Sequence, residues 1–133
     1  MSTAIGNLAN AATGFGTGID SIVISEYISG KVGDATLDVT GWTPDTIPAG
    51  HVIIQETATG NLKPFPTSGA AYGALPASHT ISPYVTEATV LTTKPFVGLM
   101  DRGTVNPNAQ AYTIASVLAA VKTAQPLITY RAD

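Results

Sequence analysis

Two histidines have the widest chemical reach in this 133-residue chain: His51, within IPAGHVIIQE, and His79, within ALPASHTISP. An imidazole can act as a base or a metal ligand near neutral pH. Neither one sits in a His-Glu-x-x-His stretch or beside carboxylates at metal-ligand spacing, so no metal and no cofactor is expected. His51 with Asp45 and Glu56 could form an acid–base set on paper. In an extended strand, however, positions 51 and 56 differ by an odd number and point to opposite faces. His51 therefore reads as a structural or surface histidine. No serine lies in a Gly-x-Ser-x-Gly elbow, and Asp101-Arg102 reads as a turn with a surface ion pair. Gly14, Gly16 and Gly18 do not have the spacing of a dinucleotide loop, and no strand precedes them. The chain is not expected to be an enzyme. A small hydrolase would need a pocket joining His51 or His79 to a carboxylate and a nucleophile.

The remaining chemistry is recognition. Trp42, Tyr72 and Tyr84 could stack on sugar rings if they cluster on one exposed face, which makes a carbohydrate- or receptor-binding module of a virion or cell surface the alternative function. Only 11% of the residues are charged, and the net charge is −3. Six scattered Lys and Arg give no electrostatic footprint for nucleic acid. With no cysteine, disulfides and thiolate metal sites are excluded; this suits a reducing compartment. No basic residue precedes Lys31 and no stretch reaches the length of a membrane span, so the expectation is a soluble product made in the cytoplasm, without membrane contact. So little charge points to a surface shared with neighbours or covered by Thr, Ser, Ala and Gly.

The elements that must position these residues follow from periodicity. The most regular stretch is 103–131. Asn106-Pro107 is a helix start, because Asn caps and Pro fits the first turn. Ala111, Ile114, Ala115, Leu118 and Val121 or Lys122 then follow helical spacing, and Val117 widens the apolar stripe. Gln125-Pro126 stops the helix, and 127–131 reads as a strand. Residues 1–18 are poor in large apolar groups and read as a mobile arm. Residues 22–28, IVISEYI, and the alternating 35–39 read as two strands, with a hairpin around the turn residues 30–34 as a candidate pairing. The break at 41–45 marks a boundary, with Trp42 packed at the junction. A strand over 47–56, a tight reversal at 57–61 and a short return strand at 62–64 come next. Residues 65–83 read as loop, 85–93 and 96–100 as strands, and 101–103 as a turn. The expected fold is mainly β (α+β). It has a small β-sheet or barrel-like core with one helix near the C-terminus, preceded by an extended N-terminal arm and a strand pair.

Two blocks, IPAGHVIIQETATGNLKPFP at 47–66 and FVGLMDRGTVNPNAQAYTIASVLAAVKTAQPLITYRAD at 96–133, resemble the head-decoration and head-fibre proteins of tailed bacteriophages. The shared features fall on Ala49-Gly50, on Thr59-Gly60 with Lys63-Pro64, on Val97-Gly98-Leu99, and on Gly103-Thr104-Val105-Asn106. The strand pair at 22–40 exceeds the bare arm of a minimal decoration protein and points toward the head-fibre side. The resemblance implies a homotrimer on the outer face of a capsid, with the major capsid protein as partner and no catalytic activity. A host-surface glycan is a further candidate partner. On this reading 1–45 is the capsid-binding part and 46–133 the self-assembling core. Ile19, Ile22, Val23, Ile24, Tyr27 and Ile28 would contact the shell. Trp42 and the small residues Ala115 and Ala119 would contribute to self-association.

Overall fold

Short β-branched runs punctuated by Gly, Pro and Asn favour many brief strands over long helices. A computed structural model, which describes residues 22–33 and 35–132, has that character: it is mainly β with one C-terminal helix. In chain order the strands begin with β1 (Ile24–Gly30), β2 (Ala35–Thr36), β3 (Thr46–Ile47) and β4 (Val52–Glu56). Next come β5 (Leu62–Pro64), β6 (Thr67–Ser68), β7 (Ala71–Tyr72) and β8 (His79–Thr86). The last are β9 (Val90–Leu91), β10 (Phe96–Val97), β11 (Leu99–Val105) and β12 (Ile128–Tyr130), with α1 (Leu118–Ala124) between β11 and β12.

A six-stranded sheet in the order β1-β11-β8-β4-β5 is the frame, and β12 joins it in parallel on β11. The continuous apolar run of β4 is explained by burial on both faces. Val52 and Ile54 pack with Phe65, Tyr72, Met100, Val105, Ile114, Val121 and Ile128 on one side. Ile53 packs with Ala35, Leu37, Ile47, Val97 and Leu99 on the other. The small pairs β2–β10 and β3–β9 contribute residues to this second layer. The expected reversal after β4 is present, with Gly60 at φ 76° and Ile54 paired with Lys63. Only a residue without a Cβ adopts that conformation freely.

Four expectations need correction. The strands near 22–40 do not form a hairpin: β1 pairs with β11 and β2 with β10. Residues on both sides of position 45 thus share the same sheets. Asp101-Arg102-Gly103 is no turn but the middle of β11, paired with β1 across Gly103 and Tyr27. The missing side chain of Gly103 makes this approach possible, since a Cβ there would run into the Glu26 carbonyl oxygen and the Met100 sulfur. Third, 65–83 is not all loop, because β8 already begins at His79 and pairs with β4.

The expected long helix is the fourth. Asn106 does cap, accepting the Asn108 N–H at 3.0 Å, but only a 3-10 turn over Pro107–Ala109 follows. Thr113 is drawn into an extended bridge, donating its N–H to Ala70 O and accepting the Tyr72 N–H. That backbone cannot also be helical, so α1 is confined to seven residues. The helix ends at Gln125 before Pro126, as the sequence indicates.

Candidate functional site

The first candidate surface is β1, one edge of the main sheet. An edge strand leaves a row of backbone donors and acceptors without strand partners. Its interior residues from Ser25 to Ser29 are all exposed. Ile22, Tyr27 and Ile28 stand 56%, 51% and 54% exposed, which is costly for side chains of this size in water. Where β1 ends, the Lys31 N–H donates to Leu99 O, and the Leu37 N–H donates to Pro95 O. At this end of the sheet Phe96 is 61% exposed, and Val32 protrudes from the turn. Register shifts interrupt β1 at three places, so its outward groups are not a flat template. The Tyr27 phenol is pushed above its ordinary pKa by partial desolvation and then by the Glu87 carboxylate, to which it hydrogen-bonds.

The residues expected to contact a shell divide here. Ile22, Tyr27 and Ile28 are exposed and available. Val23 is not: it is 2% exposed and belongs to the core. Ile24 is half-buried against the same cluster. Ile19 lies outside the described residues. Phe96 faces outward because two-residue alternation in β10 turns Val97 inward instead. Ala115 and Ala119 are exposed on the turn before α1 and on α1 itself. Trp42 is half-buried against the second layer of the core.

The second candidate is the surroundings of His51. Strand β4 begins just after this imidazole, which is almost completely buried. Its Nε2 lies 2.7 Å from Phe65 O, a pure acceptor, so Nε2 carries the proton. Nδ1 then accepts from the Tyr72 hydroxyl at 3.3 Å, and that hydroxyl oxygen accepts the Val52 N–H at 2.9 Å. Tyr72 stacks on the ring with centroids 4.8 Å apart, while Trp42 and Tyr112 meet it edge-on. Burial lowers the His51 pKa to about 4, only partly opposed by the hydrogen bond to Phe65. A neutral imidazole with both nitrogens engaged and aromatic rings around it is a packing unit. Burial also pushes the Tyr72 phenol well above its ordinary range, and a buried Tyr72 cannot stack on a sugar at the surface.

The third candidate is a cavity of about 290 Å³ beside Trp42. Asp38, Thr40, Lys63 and His79 supply its polar wall, and Pro44, Pro64, Pro66 and Pro76 much of its apolar wall. Lys63 Nζ lies 3.0 Å from Glu56 Oε1 and 3.9 Å from Asp38 Oδ2. Hydrogen bonds from Thr40, and secondarily the Lys63 charge, hold the Asp38 carboxyl below its usual range. His79 Nδ1 lies 2.8 Å from Ala77 O and so carries the proton, leaving Nε2 as an acceptor. No sequence motif marked this cavity, because its wall is gathered from separate segments between 38 and 79.

Among the described residues no group of three or more His, Asp or Glu is placed to hold a metal ion. No helix among them is long and apolar enough to cross a membrane. Comparison of the chain with protein-family models, with curated proteins and with solved structures finds no match.

Proposed function

We propose that this protein is a structural component of a bacteriophage virion, a homotrimer that decorates the outer face of the capsid by binding the major capsid protein. It needs no catalytic residue and no cofactor for that role. The observation that carries this reading is the set of exposed apolar side chains at the sheet edge: Tyr27 and Ile28 on β1, Ile22 just before it, and Phe96 close to its end. Exposed large apolar side chains gathered at one sheet edge suit an interaction site, and the β1 edge, though bulged, has backbone groups that a partner can pair with. The low charge of the chain and the sequence resemblance to head-decoration and head-fibre proteins support the same reading.

Sedimentation of the purified protein and its binding to expanded capsids test this function. The expected species has three times the 13.6 kDa mass of the chain, and it binds expanded shells but not unassembled coat subunits. Ile28→Lys combined with Phe96→Lys leaves the fold intact and abolishes trimer formation or shell binding, because both side chains are already solvent-facing. A monomer at micromolar concentration that ignores capsids would overturn the proposal. So would a double variant that assembles and binds like the parent.

A further inference from the structure

We infer that the cavity beside Trp42 is a binding site for one ring of a neutral saccharide. Its volume, about 290 Å³, is at the lower end of the roughly 300–1,000 Å³ typical of small-molecule sites, which suits a single small ring. The wall combines two surfaces that a pyranose matches. Trp42 and the prolines present apolar area to the C–H face of a sugar, while Asp38, Thr40, Lys63 and His79 present acceptors and donors to its hydroxyls. Asp38 is held ionised, and the Lys63 ammonium is already engaged by Glu56 at 3.0 Å and by Asp38 at 3.9 Å. An anionic ligand therefore meets the Asp38 carboxylate and finds no unpaired cation, and a cationic one meets the Lys63 ammonium. His79 Nε2 is a further acceptor, its tautomer fixed by Ala77.

An aromatic and proline-lined groove also suits an extended proline-rich peptide, and one contact decides against that occupant. Such peptides are read by donors aimed at their carbonyls, and the indole N–H is the natural donor on a tryptophan. Here Trp42 Nε1 already donates to Thr46 O at 3.2 Å. What remains of the ring for a ligand is its carbon surface.

Trp42 is the sole tryptophan of the chain, so its fluorescence reports directly on this cavity. The intact protein is titrated to tens of millimolar with the methyl glycosides of glucose, galactose, mannose and N-acetylglucosamine, and with maltose, cellobiose and lactose. A saturable change in emission with at least one of them is expected, and none with inorganic phosphate or a proline-rich peptide. Calorimetry should then show loss of binding in Trp42→Ala. Asp38→Asn preserves shape while removing the charged acceptor, and should weaken affinity about tenfold. The inference is overturned by silence across the saccharide panel, by a response to the proline-rich peptide instead, or by unchanged affinity in Asp38→Asn. Capsid binding is read in a different assay, so either property can fail without the other.

Discussion

His51 keeps its proton on Nε2 for Phe65 and offers Nδ1 to Tyr72, and a second proton would displace that donor. The buried ring has a pKa near 4 against 6.5 for the free side chain. The unfolded chain therefore binds a proton between those values while the folded chain does not. The stability contributed by neutral His51 is fully present above about pH 6.5 and drains away as pH falls toward 4, a loss on the order of 3 kcal/mol. Asp38 and Glu56, whose folded pKa values are lowered, lose their contributions at lower pH than His51 does. Thermal melts of the parent should drop in midpoint between pH 6.5 and 4. His51→Gln can still donate toward Phe65 O, and its melts should be flatter over that window. Equal slopes for both proteins would remove the buried imidazole as the cause. Sequence indicated that His51 lacks a catalytic partner at useful spacing. Its actual partners were hidden, because Phe65 and Tyr72 come from a loop edge and a two-residue strand within a stretch without periodicity.

At the scale of elements, α1 shows what helical spacing alone can and cannot settle. The pattern from Ala111 to Val121 reads as one face, but the tertiary bridge at Thr113 claims its beginning. Leu118 becomes the first helical residue and is only half-buried, while Val121 is fully buried on the core side. Val121→Ala should cost about 2 kcal/mol, as loss of buried methyl groups does. Lys122→Ala on the exposed last turn should stay within roughly 0.5 kcal/mol. Leu118→Ala should fall below the 2–5 kcal/mol typical of a fully buried leucine. Urea midpoints that rank Lys122→Ala as the most damaging of the three would show that the buried face is misassigned. The stop at Gln125-Pro126 was legible, but the start was not: Asn106 caps only the 3-10 turn, and α1 begins at Leu118 after Val117, which makes no side-chain cap. The role of Gln125 was not: its amide donates to Ser82 O and Tyr84 O and accepts from the Tyr130 hydroxyl, tying the helix end to β8 and β12. No local pattern announces such a clamp. The hairpin turn at Gly60 was legible because its signal lies wholly within five residues. The pairing of β1 with β11 was not, because Glu26 and Thr104 meet across 78 positions.

For the molecule as a whole, β11 is the strand on which distant parts converge. It carries β1 along one side, and β8 and then β12 along the other. Removing residues 1–40 would take away β1, β2 and the buried side chains Val23, Ala35 and Leu37. That variant should lose cooperative unfolding and run as an expanded species in gel filtration. A compact, trimeric truncated protein would instead support a separable arm. The same convergence sets an order in time. Every long-range pairing must be closed against chain entropy before its contacts reward it, which slows sheets built from remote segments. During synthesis β1 emerges early and has no partner until β11 is made, and β11 stays incomplete until Ile128 to Tyr130 have followed. Strand β1 therefore waits, exposed, until β11 has been synthesised. Its Glu26 and the bulges that break its register keep that wait from ending in the wrong partnership.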